Sequence, residues 1–123
     1  MSKELSIVIP AFNEESRISE TLRQILDYIK KEKLSAELIV VDDGSRDQTT
    51  KVSENLFKEF PELDAKTIRY EENRGKGFAV KTGLNAAVGK IALFSDADLS
   101  TPIEELPKLI KPIENGDFDV TFG

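Results

Sequence analysis

Asp96-Ala97-Asp98 sets two carboxylates two residues apart, one residue after the apolar run Ile91 to Phe94. In extended backbone residues i and i+2 face the same way. Two hard oxygen donors so placed can share a divalent cation that bridges a diphosphate, and that cation would neutralise charge on a departing phosphate group. A D-x-D pair is also an ordinary solvated turn, so its context decides. Asp42-Asp43-Gly44-Ser45 follows a second apolar run. One of its carboxylates suits a nucleobase or ribose contact, with Asp43 the preferred base contact. Turn and helix-capping chemistry accounts for Gly44, Ser45 and Asp47, but not for two adjacent acids. Arg74-Gly75-Lys76-Gly77 is a cationic loop opening a helix, where free amides and a lysine suit phosphate; a plain solvated loop is the alternative. It matches neither the P-loop nor the Rossmann glycine pattern. Asn13 and Glu14 stand where a first strand turns into a helix; Glu14 and Glu15 either complement the helix dipole or meet a ligand. Phe12 beside them packs in the core or against a base.

The elements that would carry these clusters alternate regularly. Leu5 to Pro10, Glu37 to Val41, Thr67 to Tyr70, Ile91 to Phe94 and Phe118 to Phe122 read as strands. The first, second and fourth are short continuous apolar runs, the signature of a parallel sheet buried on both faces. Between them Ile18, Leu22, Ile25, Leu26 and Ile29 recur at helical spacing. Val52, Leu56, Phe57 and Phe60 mark a second helix, closed by Pro61. Val80, Leu84, Ala87 and Val88 mark a third, and these stripes are assigned to the core. Thr101-Pro102-Ile103-Glu104 has the N-cap, first-turn proline and capping box of a fourth, with Pro107 expected to kink it. The β-α-β-α order predicts an α/β fold: an open, mainly parallel sheet flanked by helices, with about five strands and four helices. In such sheets ligands bind at the carboxyl ends of the strands, and every polar cluster above falls at that edge.

Composition narrows the chemistry. A length of 123 residues predicts one domain, and a net charge of −6 disfavours binding to nucleic acid, which rests on neutralising phosphates. With no Cys and no His, thiol catalysis, His-based triads and the usual zinc sites are excluded. Any metal must take oxygen ligands, which favours Mg or Mn. No stretch reaches the roughly 18 apolar residues of a membrane span, so the expected compartment is the cytoplasm. The chain reaches Gly123 just past a strand, which predicts truncation or an edge covered by a partner, and so a homodimer.

Taken together, Ser6-Ile7-Val8-Ile9-Pro10-Ala11-Phe12-Asn13-Glu14-Glu15, Val40-Val41-Asp42-Asp43-Gly44-Ser45-Arg46-Asp47, Asn73-Arg74-Gly75-Lys76-Gly77 and Ser95-Asp96-Ala97-Asp98-Leu99-Ser100-Thr101-Pro102 resemble glycosyltransferase family 2. The strings cover nearly the whole chain in the family's order. The version with Asn-Arg-Gly-Lys-Gly and Asp-Ala-Asp-Leu-Ser-Thr looks most like the subgroup acting on polyprenyl (dolichyl-type) phosphates with glucose or mannose. The resemblance implies a Rossmann-like GT-A nucleotide-binding half and an inverting transferase that uses a UDP- or GDP-sugar and a divalent cation. It implies a donor site drawn from Pro10, Ala11, Phe12, Asn13, Glu14, Asp42, Asp43, Arg74, Lys76 and Asp96. Within it Pro10, Phe12 and Glu14 would line the nucleoside pocket, and Asp43 would contact the base. Lys76 would lie near the diphosphate, Asp96 would meet ribose or metal, and Asp98 would bind metal. The acceptor site and any catalytic base are expected beyond Gly123, so no base is named. A polyprenyl-phosphate acceptor would put the work at the cytoplasmic face of a membrane.

Two other classes stand beside this reading. One is a module that holds a nucleotide-sugar and transfers nothing by itself. The other is a signalling receiver domain, which shares the length and the β/α alternation. A receiver carries its acidic pair after the first strand and its phosphoacceptor after the third, whereas here the acids follow the second and the fourth. A sugar-nucleotide nucleotidyltransferase lacks its glycine-rich signature after the first strand.

Overall fold

The computed structural model describes residues 4–94 and 119–122. Its elements in chain order are β1 (Leu5–Ala11), α1 (Ile18–Lys31), β2 (Ala36–Asp43), α2 (Thr49–Phe57), β3 (Asp64–Tyr70), α3 (Lys76–Ala86), β4 (Ile91–Phe94) and β5 (Asp119–Phe122). The helix expected from Thr101, and Pro107 within it, lie outside the described residues. So do Ser95, Asp96 and Asp98.

The strands form a single sheet in the order β3-β2-β1-β4-β5, with every pairing parallel. This is the doubly wound Rossmann order, not the 2-1-3-4-5 order of receiver domains, so the receiver alternative falls on topology. Strand order reverses between β1 and β4, which makes the crevice at their carboxyl ends the switch point where ligands gather in such sheets.

Alternation along β1 and β2 divides the core in two. Ile7, Ile9, Leu38 and Val40 face α1 and α2 and pack with Leu22, Leu26 and Leu56. Val8, Ile39 and Val41 face the opposite way, against Ala79 of α3. Helices therefore cover both sheet faces, as the uninterrupted apolar strands require. Gly83 lets α3 come close: a Cβ there would run into Val8 and Val41. β3 is an edge strand and only half-buried, with charged Asp64, Lys66 and Arg69 exposed, a composition that discourages pairing with another chain.

Two helix ends and one core assignment change. The second helix stops at Phe57, short of Pro61. The residue before a proline is driven out of helical geometry, and the chain closes in turns in which Phe60 N–H donates to the Phe57 carbonyl (3.0 Å). Phe60 still enters the core, from that turn. The third helix ends at Ala86, and Val88 is 64% exposed. Ala87 turns extended because the backbone beyond it docks on a buried polar pair: Val88 N–H donates to Glu37 Oε2 (2.7 Å) and Gly89 N–H to Ser6 Oγ (2.8 Å). Ser6 Oγ in turn donates to Glu37 Oε2 (2.6 Å). Buried polar groups need such partners, and that need outranks the apolar preference of one valine.

Candidate functional site

The adjacent acids at the end of β2 part company because neighbouring strand residues face opposite sides of the sheet. Asp42 is fully buried on the α2 side. Its carboxylate accepts from Ser45 N–H (2.8 Å) and the Thr50 hydroxyl (2.5 Å), with the Arg69 guanidinium 3.8 Å away. It thereby closes the β2–α2 turn. Asp43 faces the α3 side. Its Oδ1 accepts from the Tyr70 hydroxyl (2.5 Å) and Arg74 N–H (2.9 Å), its Oδ2 from Asn73 Nδ2 (2.8 Å) and Gly75 N–H (2.9 Å). A carboxylate offers about four lone-pair sites, so Asp43 is saturated by the loop between β3 and α3. Turn closure thus explains Asp42, and loop anchoring explains Asp43.

The β1–α1 turn is laced to the β2–α2 loop. Asn13, at a positive φ of 53° that asparagine tolerates, donates its N–H to Ser45 Oγ (2.8 Å) and accepts at Oδ1 from Arg46 N–H (2.9 Å). Glu14 N–H donates to Thr49 Oγ1 (2.9 Å), and Glu15 N–H to Asp47 Oδ2 (3.3 Å). The Glu14 side chain is taken by Arg17, one helical turn on. For Asp47, burial alone would raise the carboxyl. Hydrogen bonds from the Thr49 hydroxyl, Thr49 N–H and Glu15 N–H outweigh burial and hold it below the ordinary 3.8.

The β3–α3 loop closes the third side. Gly44 sits under it at φ +72°, and a Cβ there would lie 2.7 Å from Asn73 N and 2.8 Å from Glu72 C. Tyr70 stacks edge-on against Phe78 (centroids 5.3 Å apart), and the Arg74 guanidinium lies 5.2 Å from the Phe78 ring centre. Burial, and then donation to anionic Asp43, push the Tyr70 hydroxyl well above its usual 10, so it stays a donor. Gly75 is the N-cap of α3, which places Lys76 in the first turn with its Nζ 5.8 Å from the Phe94 ring centre at the end of β4.

These three loops surround an open cavity of about 630 Å3 lined by Phe12, Asn13, Gly44, Arg46, Glu71, Glu72 and Asn73. Phe12, left between core and ligand by its sequence, is 42% exposed at this cavity. Among the expected site residues Phe12 and Asn13 line it; Pro10 and Ala11 are buried in β1, Asp42 and Asp43 are buried at the end of β2, and Glu14, Arg74 and Lys76 are not lining residues. Arg46, Glu71 and Glu72 were missed as lining residues. Nothing in a run of exposed charges distinguishes the ones that a folded loop turns towards a cavity. Tyr70 was missed as well, although a tyrosine ending a polar strand next to a glycine loop is a usable signal. β4 ends at Phe94 on the same edge of the parallel sheet, two residues before Asp96.

Comparison with known proteins gives a family and a fold. The family model described as "Glycosyl transferase family 2" matches residues 6–123. A dolichyl-phosphate beta-glucosyltransferase of Homo sapiens is 35% identical over 119 residues, covering 93% of this chain and 37% of that protein. A mannosyltransferase of Pyrobaculum calidifontis, solved with GDP-Man and Mn2+, superposes with a TM-score of 0.70 at 31% identity, over 80% of this chain and 28% of that one. Glucosyl-3-phosphoglycerate synthase of Mycobacterium tuberculosis, solved with Mn2+, UDP-glucose and phosphoglyceric acid, does so at 0.70 and 26%, over 93% and 40%. The chain thus spans well under half the length of each. Its described residues have the Rossmann-like sheet of a GT-A nucleotide-binding half.

Proposed function

This chain belongs to glycosyl transferase family 2, and from that premise we propose that it is the donor-binding half of an inverting glycosyltransferase that uses a UDP- or GDP-sugar and transfers to a polyprenyl phosphate. The observation that carries the reading is the open cavity at the carboxyl ends of β1, β2 and β3, with β4 ending at Phe94 on the same edge, two residues before Asp96 in sequence. Its volume of about 630 Å3 is within the usual range for small-ligand sites.

In this reading the nucleoside enters the cavity with Phe12 against the base. Asp43 holds the β3–α3 loop as one wall, and meets a base N–H only in exchange for one of its four present donors. Arg74 stiffens the same loop through Phe78 and Glu72, and Lys76 approaches the diphosphate from the start of α3. Asp96 and Asp98 would hold the cation. Their all-oxygen donor set in a chain without Cys or His suits Mg or Mn. The chemistry a cation supplies there is neutralisation of charge on the leaving nucleoside diphosphate. Transfer would be a single displacement: an acceptor phosphate oxygen bonds to the anomeric carbon as the carbon–oxygen bond to the diphosphate breaks, inverting that centre. A phosphate acceptor is already ionised, so the step needs no base from the described residues. A lipid acceptor would bring the protein to the cytoplasmic face of a membrane. None of the described helices is long and apolar enough to cross one.

Calorimetric titration with UDP, UDP-glucose, GDP and GDP-mannose, with and without Mn2+, tests this. We expect metal-dependent binding of one base, lost in Asp98→Ala. Failure of all four to bind would refute the reading. Transfer of radiolabelled sugar to a polyprenyl phosphate separates a competent transferase from a module that binds donor alone.

A further inference from the structure

The cavity's polar lining is mostly committed within the protein. Glu71 pairs with Arg69 (3.6 Å) and Glu72 with Arg74 (3.2 Å). Asn73 Nδ2 is held by the Asp43 carbonyl (3.1 Å) and carboxylate (2.8 Å). Asp43 itself is saturated, so the acceptor that would most simply read a base is occupied. Asn13 Oδ1 accepts from Arg46 N–H, which fixes the amide's orientation and leaves Nδ2 as its remaining hydrogen-bonding group. Arg46 is exposed, lines the cavity, and forms no ion pair among the described residues. The charge left uncommitted at this cavity is therefore a cation, in a chain of net charge −6.

Its position in the sheet decides what it meets. Arg46 leaves the end of β2, whereas Asp96 and Asp98 follow β4, and β1 lies between the two strands. Two strand spacings are about 10 Å, so a diphosphate held beyond β4 puts the nucleoside, not the phosphates, next to Arg46. Resting on the donor-site reading above, we infer that Arg46 donates to the carbonyl edge of the bound nucleobase, with Asn13 Nδ2 beside it, and is a specificity-determining ligand contact. Uracil (O2 and O4) and guanine (O6) both present such an edge, and a guanidinium is a charge-assisted donor to it.

The test compares the wild-type chain with Arg46→Gln and Arg46→Lys. Each is titrated in the presence of Mg2+ by NMR chemical-shift mapping with UDP, GDP, uridine and guanosine, and each is checked for an unchanged urea midpoint. We expect Arg46→Gln to weaken the preferred diphosphate and its nucleoside by the same factor, about tenfold. Arg46→Lys should recover little, because it keeps the charge and loses the planar fork. Unchanged affinity in Arg46→Gln would overturn the inference. So would a loss confined to the diphosphate, or full recovery in Arg46→Lys, since either would make Arg46 a phosphate or bulk-charge contact. If wild type binds none of the four, the donor-site reading itself fails and this inference with it; if wild type binds and the variants match it, only the role of Arg46 fails.

Discussion

Gly44→Ala should damage this protein through the backbone alone. At φ +72° an alanine pays the left-handed penalty of about 1–2 kcal/mol. Its Cβ would also lie 2.7 Å from Asn73 N, 2.8 Å from Glu72 C and 2.9 Å from Glu71 O, all main-chain atoms that cannot rotate away. Relieving such an overlap costs about 1–3 kcal/mol more, so the expected loss is roughly 2–5 kcal/mol. With a urea m-value near 2 kcal/mol/M, the midpoint falls by about 1–2.5 M at unchanged m. Because the loop that must retreat is a cavity wall, nucleotide binding should weaken in the surviving folded protein. Gly77→Ala is the contrast: nothing lies within 4 Å of its Cβ and it sits in the first turn of α3, so stability should hold or rise slightly. Gly44→Asn separates the two costs, since asparagine tolerates left-handed backbone but carries the same Cβ. A Gly44→Ala midpoint within about 0.3 M of wild type would refute the reasoning. Full recovery in Gly44→Asn would show that the close approach of the β3–α3 loop imposes nothing.

Tyr70→Phe removes one of two donors to Asp43 Oδ1 and should cost about 1.5 kcal/mol in urea unfolding, the lower end for a bond to a charged group; a neutral result would show that the hydroxyl does not help set the loop. Glu37→Ala strips Val88 N–H and Ser6 Oγ of their shared acceptor and should cost at least about 2 kcal/mol, read by the same assay. Asp47 gives a pH signature: its folded carboxyl lies below the ordinary 3.8, so between those values the unfolded chain binds more protons and stability rises with pH. The contribution is complete above 3.8 and lost as pH falls through the folded value, so Asp47→Asn should flatten the acid limb of urea midpoints measured between about pH 5 and 3; an identical slope would remove Asp47 from it.

Local signals were enough for the fold class. Continuous apolar strands such as Ile7 to Ile9 and Leu38 to Val41 can only be buried on both faces, and helical spacing between them demands crossovers. Strand order then puts Phe12, Asp43 and Asn73 on one edge, as the alternation of clusters and elements implied. What sequence could not determine is which partner each side chain meets, because that depends on distances between loops remote in the chain. Asp42 and Asp43 are chemically identical neighbours, yet one closes a turn and the other gathers a loop about 30 residues away, since successive strand residues face opposite sides of the sheet. Val88 looked like core and is exposed because the backbone beside it satisfies buried Glu37 and Ser6. Arg46 reads in sequence as one more surface charge. Only the packing of three loops, each held by hydrogen bonds to another, turns it towards a cavity and leaves it without a counter-ion among the described residues.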